Sequence, residues 1–276
     1  MVIDKALINE YLLRIRRLRP VVQCITNIVT VNDCANALLA IGASPTMAHH
    51  PEEMADFAAI SNALVCNMGA TESLEAMMAA AKLADKAGHP LIIDPVGCAG
   101  SAFRRKKCLD LIRQARPSCI RGNAAEIHAL ARNCNTGRGV DDLFSSDESH
   151  AGTSTDSASR SLHSVKESAR ILTKNTGAIV IASGSVDIAA LDDTIFELHG
   201  GSALLPRITG SGCMLSSLLG AFLAAEDSLT SAACCCAFMS LCGEQAEAWT
   251  AEAGKGTGTF HTALLDALSL SADLFG

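Results

Sequence analysis

Thr209-Gly210-Ser211-Gly212-Cys213 runs directly into the apolar stretch Met214-Leu215-Ser216-Ser217-Leu218-Leu219. Two glycines before such a stretch read as a tight turn that opens a helix. The backbone N–H groups of that turn point toward an anion, and the helix dipole adds roughly half a positive charge at that end. Cys213, one residue past the second glycine, sets a thiol at the mouth of this anion hole. The same spacing also serves backbone geometry alone, because glycine adopts the conformations that tight turns need. The chemistry of the turn therefore depends on what else converges on it.

In a parallel α/β sheet, ligands bind beyond the carboxyl ends of the strands. Asp94 ends the run Leu91-Ile92-Ile93 and is followed by Pro95-Val96-Gly97. Arg121-Gly122-Asn123 ends the next strand, with Glu126 about one helical turn beyond Asn123. Ser183-Gly184 ends a third strand, and the turn at 209–213 follows a fourth extended segment. Two carboxylates, a guanidinium, an amide, a hydroxyl and an anion hole suit phosphoryl transfer from a metal–nucleotide complex. Mg²⁺ takes few protein ligands and keeps several waters, which two carboxylates can serve. Arg121 can neutralise phosphate charge, and Gly210 to Cys213 can hold the transferring group. No Gly-x-x-x-x-Gly-Lys-Ser/Thr element is present, and Leu215 stands where a dinucleotide fingerprint needs its third glycine.

Each of these residues also has a plainer structural use. Asp94 can cap a turn. Asn123 is a good helix N-cap, and Glu126 lies at capping-box spacing from it. Met47 sits in an apolar loop and reads as core. His49-His50 reads as a loop pair, while His128, His199 and His261 have no partner visible in the sequence.

The elements that must position these groups follow from hydrophobic periodicity. Leu7, Ile8, Tyr11, Leu12, Ile15 and Leu18 form one face of a first helix, and a strand is expected over 21–25. A helix over 31–41 stops at Gly42, and an extended segment over 43–48 precedes a helix opened by Pro51. Strands over 63–68, 90–94, 118–121 and 178–182 alternate with helices over 71–87, 104–116, 124–132 and 165–175. Strands that are apolar throughout imply a mostly parallel sheet covered on both faces. Segments 186–191 and 194–198 flank Asp192-Asp193 and read as a hairpin. The remainder is expected to be mostly helical to about 274. The stretch 134–164, rich in Ser, Thr, Gly and Asp, reads as an exposed, flexible insertion within a single domain spanning 1–276.

The 276 residues include 49% hydrophobic and 18% charged side chains, with a net charge of −7. That composition supplies a sizeable core and argues against a nucleic-acid surface. The twelve cysteines fall largely inside apolar runs and form no Cys-x-x-Cys pair, so buried reduced thiols and a cytoplasmic location are expected. Asp4 and Glu10 interrupt the first residues, so no secretory signal is expected there, and 232–239 is too short to span a membrane.

Taken together, the motifs resemble those of the hydroxyethylthiazole kinases, thiamine-salvage members of the ribokinase-like superfamily. The resemblance rests on Ile25-Thr26-Asn27, the stretch from Leu38 to Ala48, Ile93-Asp94-Pro95-Val96-Gly97, the stretch from Ile120 to Ile127, and Thr209-Gly210-Ser211-Gly212-Cys213. It implies a three-layer α/β/α sandwich that phosphorylates a thiazole alcohol with ATP. It also implies that Asn27 and Met47 line the thiazole pocket, with Gly210 against the substrate. Asp94 and Glu126 would organise Mg²⁺, Asn123 belongs to an Asn-x-x-Glu element, and Arg121 and Ser183 would contact ATP phosphates. Gly210, Gly212 and Cys213 would surround the substrate hydroxyl and γ-phosphate, with Cys where most of the superfamily has an Asp base. A homotrimer with sites between subunits is a further implication, and 254–260 matches a late glycine-rich loop expected near the interface. Three other readings stay open: a kinase for a different small alcohol such as a pyrimidine, a hydrolase with Cys213 as nucleophile, and a metabolite-binding regulator without catalysis.

Overall fold

A computed structural model of the chain describes residues 3–133 and 154–271. Eight strands form one sheet in the order β2-β1-β3-β4-β5-β6-β7-β8. They are β1 (Val21–Ile25), β2 (Ser44–Thr46), β3 (Ala63–Asn67), β4 (Leu91–Asp94), β5 (Cys119–Asn123), β6 (Ile179–Ser183), β7 (Val186–Leu191) and β8 (Thr194–His199). The first six pair in parallel, and β7 and β8 add an antiparallel hairpin at one edge. Parallel strands buried on both faces explain why β3 and β4 are apolar up to their last residues, Asn67 and Asp94.

Alternate side chains on each strand feed two different cores, as the period of two requires. Ile92 faces one core, whereas Leu91 and Ile93 face the other. The first core is shared with α1 (Lys5–Leu18), α2 (Val31–Ala40), α8 (Ser211–Ala225), α9 (Leu229–Glu252) and α10 (Thr257–Ser269). The second lies under α3 (Met54–Ile60), α4 (Leu74–Ala87), α5 (Ala102–Gln114), α6 (Ala124–Arg132) and α7 (Ser154–Thr176). The result is a three-layer α/β/α sandwich. The described cysteines are all free and buried among these layers.

Three elements depart from the sequence reading. A 3₁₀ turn over Leu205–Arg207, and no fourth extended segment, precedes the turn at 209–213. Helix α7 starts at Ser154 instead of near 165. The polar stretch 154–164 extends the helical face of Val165, Ala169 and Leu172, and Leu162 packs with them against the second core. The rest of the expected insertion, 134–153, lies outside the described residues. Strand β5 continues to Asn123 and passes straight into α6, so the strand end and the helix cap are one residue.

Helix α8 is central to the first core, with eleven of its fifteen residues buried. It can approach the sheet closely because Gly220 has no side chain. A Cβ there would stand 2.6 Å from Val22 Cγ1 and 3.1 Å from Val65 Cγ2. Gly220→Ala is therefore expected to destabilise the fold by about 1–3 kcal/mol through overpacking, outweighing the helix-propensity gain of about 1 kcal/mol. Chemical denaturation of the two proteins measures this directly.

Candidate active site

Strand register aligns the polar residues at the carboxyl edge of the sheet. Asn67 on β3 pairs with Asp94 on β4, and Asn123 on β5 pairs with Ser183 on β6. The N-terminus of α8 arrives over the same edge.

Asp94 is completely buried. Its Oδ2 accepts hydrogen bonds from Asn67 Nδ2 at 3.1 Å and Ser216 Oγ at 2.8 Å. Arg121 Nη1 is 4.0 Å from the same oxygen. Oδ1 is buried with no hydrogen-bond partner. Burial pushes this carboxyl above the usual carboxylate range, against the pull of Arg121 and Ser216. A buried carboxylate oxygen without a donor is the acceptor that a hard cation or its water takes.

Glu126 occupies the first turn of α6, where its structural and functional readings coincide. Its backbone N–H donates to Asn123 Oδ1 at 2.9 Å, and Asn123 N–H donates back to Glu126 Oε2 at 3.0 Å. Gly97 N–H donates to Oε1 at 2.8 Å, tying the loop after β4 to the same carboxylate. Each oxygen keeps a further lone pair beyond these bonds. Burial, with Asp94 nearby, raises this carboxyl to about 6 despite the two backbone donors.

The glycine turn takes the conformation its sequence demands. Gly210 has φ +89°, and a Cβ on it would stand 2.8 Å from Thr30 Cγ2. Gly212 admits Arg121: a Cβ there would fall 2.5 Å from Arg121 Nη1. The guanidinium thus lies against the turn's backbone. Its Nε and Nη2 donate to Ser183 Oγ at 3.2 and 2.9 Å. Positive charge and the free N–H groups of α8 therefore converge on one place, as anion binding requires.

Cys213 is 9% exposed. Asn67 Nδ2 donates to its sulfur at 3.1 Å and Asn27 Nδ2 at 3.5 Å. Thr30 Oγ1 in turn donates to Asn27 Oδ1 at 3.1 Å. Burial, reinforced by Asp94, pushes the thiol up to about 12. It is protonated at neutral pH and is a poor hydrolytic nucleophile. Met47 follows the short edge strand β2, packs half-buried against the first core and stays outside this hydrogen-bonded cluster.

The structure thus gathers Asn27, Asp94, Arg121, Asn123, Glu126, Ser183, Gly210, Gly212 and Cys213 at one sheet edge, with Met47 at its end. Sequence reading missed Asn67 and Ser216. Asn67 was findable by the strand-end rule applied to β3, and Ser216 lies about one helical turn past Cys213 on the same face. Asp33 and its partner His261, 3.0 Å apart, carried no local signal. His50 caps a short 3₁₀ turn over Pro51–Glu53, in keeping with a loop role. Among the described residues, no three His, Cys, Asp or Glu form a metal cluster.

The fold is of the ribokinase-like class. A ribokinase-like superfamily protein from Enterococcus faecalis V583, 12% identical, shares the fold with a TM-score of 0.62 over 99% of this chain and 95% of its own. The chain belongs to the hydroxyethylthiazole kinase family, whose model matches residues 12–273. It is 39% identical over 257 residues to the hydroxyethylthiazole kinase of Nitratidesulfovibrio vulgaris strain DP4, covering 92% of this chain and 89% of that protein. It is 40% identical over 267 residues to the same enzyme of Desulfovibrio desulfuricans, covering 93% and 90%. The solved hydroxyethylthiazole kinase of Pyrococcus horikoshii OT3 superposes with a TM-score of 0.79 at 31% identity, covering 95% and 92%.

Proposed function

We propose that this chain transfers the γ-phosphoryl group of ATP to the hydroxyl of 4-methyl-5-(2-hydroxyethyl)thiazole, yielding the thiazole phosphate and ADP for thiamine salvage. The observation that carries this reading is the convergence of Arg121 and the Gly210–Cys213 turn beside Asp94, on a chain of this family. In the reaction the alcohol oxygen forms a bond to the γ-phosphorus, the β,γ-bridging P–O bond breaks, and the alcohol proton is released. ADP release with and without the thiazole, with the product identified by mass, tests it. Thiazole-dependent turnover is expected; turnover only with another alcohol would reassign the substrate.

Arg121, with Ser183 and Asn123 at the neighbouring strand ends, binds the ATP phosphates. Gly210, Ser211 and Gly212 supply backbone N–H groups that stabilise charge on the transferring group. Asp94 and Glu126 are the residues that would hold Mg²⁺, largely through water, and the orphaned Asp94 Oδ1 fits that role. Bound there, the cation would screen phosphate charge. Asn27 and Met47 line the thiazole side, Met47 offering a polarisable thioether to the ring.

Cys213 positions the hydroxyl and is not the base, since a thiol raised to about 12 holds its proton at neutral pH. Phosphoryl transfer depends mainly on positioning and charge neutralisation, so a strong base is not needed. Cys213→Ser is expected to keep kcat within about tenfold of the parent, because general-base catalysis contributes typically 10²–10⁴-fold. A larger loss in steady-state turnover would return proton acceptance to the sulfur.

We also infer a single domain over 1–276 that assembles as a homotrimer, with Met47 serving a site shared between subunits. Ile28 and Val29, directly after Asn27, are 85% and 68% exposed, which suits cover by another subunit. No helix of the described residues is long and apolar enough to cross a membrane, and the many free buried thiols suit a reducing cytoplasm.

A further inference from the structure

Asp33 lies on α2 about one helical turn after Thr30, and its Oδ1 is 3.0 Å from Nε2 of His261 on α10. The two side chains are 16% and 35% exposed, respectively. This contact ties the helix entered through Gly254-Lys255-Gly256-Thr257-Gly258 to the helix that begins beside Asn27. The other carboxylate oxygen, Oδ2, comes within 3.6 Å of the point where a Cβ on Gly210 would stand. Thr30 meets that same point at 2.8 Å while its hydroxyl holds Asn27. A carboxylate therefore stands beside Gly210, in the turn read as the phosphate site. Its field opposes the helix dipole there, and a like charge this close to an anion site weakens anion binding unless it is engaged.

We propose that His261 is a positioning residue for phosphoryl transfer. Its imidazole N–H engages Asp33, holds that carboxylate toward α10, and so limits its repulsion of the ATP phosphates at Gly210–Cys213. The proposal rests on reading that turn as the phosphate site. It makes a distinctive demand: a chain that keeps Asp33 but loses His261 is worse than a chain that has lost the Asp33 carboxylate as well.

Five variants and the parent, compared by ATP-dependent turnover and thermal melting, test this. His261→Phe keeps an aromatic ring and removes the donor, and it is expected to raise KM for ATP about three- to tenfold with kcat within about twofold. Its ratio to the parent should shrink in about 0.5 M KCl, where screening is short-ranged. His261→Gln, which can still donate, should restore the parent KM, and so should Asp33→Asn combined with His261→Phe. Unchanged KM in His261→Phe overturns the proposal, as does a double variant as impaired as the single. Should His261→Phe fail to fold, Asp33→Asn alone decides: KM at or below the parent supports the proposal, and a rise above threefold overturns it. Gly212→Ala separates the two levels of inference. If it leaves KM for ATP unchanged, the phosphate reading of the turn fails; if it raises KM while His261→Phe does not, only the role of His261 fails.

Discussion

Exchanging Asp94 for asparagine is expected to lower kcat by about 10³-fold while leaving the melting temperature close to the parent's. Asparagine reproduces the geometry of the site. Its Oδ1 can take the place of the oxygen that accepts from Asn67 and Ser216, and its amide nitrogen can stand where the present Oδ1 has no partner. What is lost is the charge that would hold Mg²⁺ and balance Arg121. Stability should not follow activity, because the buried carboxylate is a cost to the fold. Burial raises the folded-state value of Asp94 above its unfolded one, so its stabilising contribution is present at low pH and lost as pH rises through the folded value. The asparagine variant removes that slope. ADP release measured beside calorimetry over roughly pH 5 to 8 separates the two effects. A variant within tenfold of the parent would take Asp94 out of the metal site.

Glu126→Gln should behave differently, losing about 10²- to 10³-fold in kcat and also losing stability. Both carboxylate oxygens of Glu126 accept from backbone N–H groups, one from Gly97 and one from Asn123. A glutamine must turn its NH₂ toward one of them, so one buried backbone donor loses its acceptor at a cost of about 1–3 kcal/mol. In the parent, kcat/KM should fall on the acid side with an apparent value near 6, since only the ionised carboxylate serves a cation. Stability should run the opposite way. The folded value exceeds the unfolded one, so the protonated group favours the fold below about 4.5, and about 2 kcal/mol is lost as pH rises to about 6. An acid limb that persists unchanged in the glutamine variant would assign it to another group.

Local pattern made much of this molecule legible. The alternation of apolar strands and helices marked a covered parallel sheet because burial on both faces leaves no polar side to a strand. Strand ends then located Asp94, Arg121, Asn123 and Ser183, and the capping spacing placed Glu126, because each depends on neighbours within one turn. Helix α7 shows the limit of composition: 154–164 reads as loop by its polar residues, yet it continues the helix that Val165, Ala169 and Leu172 dock, with Leu162 as its own apolar contact.

The chemistry-bearing contacts were decided by the tertiary structure. Cys213 meets Asn67 across 146 residues and Asn27 across 186; Asp94 meets Ser216 across 122, and Asp33 meets His261 across 228. Nothing local encodes such pairs. They exist because the sheet order sets β3 beside β4, and because Gly220 lets α8 descend onto Val22 and Val65 until its first turn reaches the strand ends. The character of Cys213 is likewise a tertiary outcome. In sequence it sits at a helix N-terminus, which lowers a thiol's pKa, whereas burial beside Asp94 raises it to about 12. Residue types and spacing determined which groups stand at the sheet edge; the desolvation and charge imposed by packing decided what each can do there.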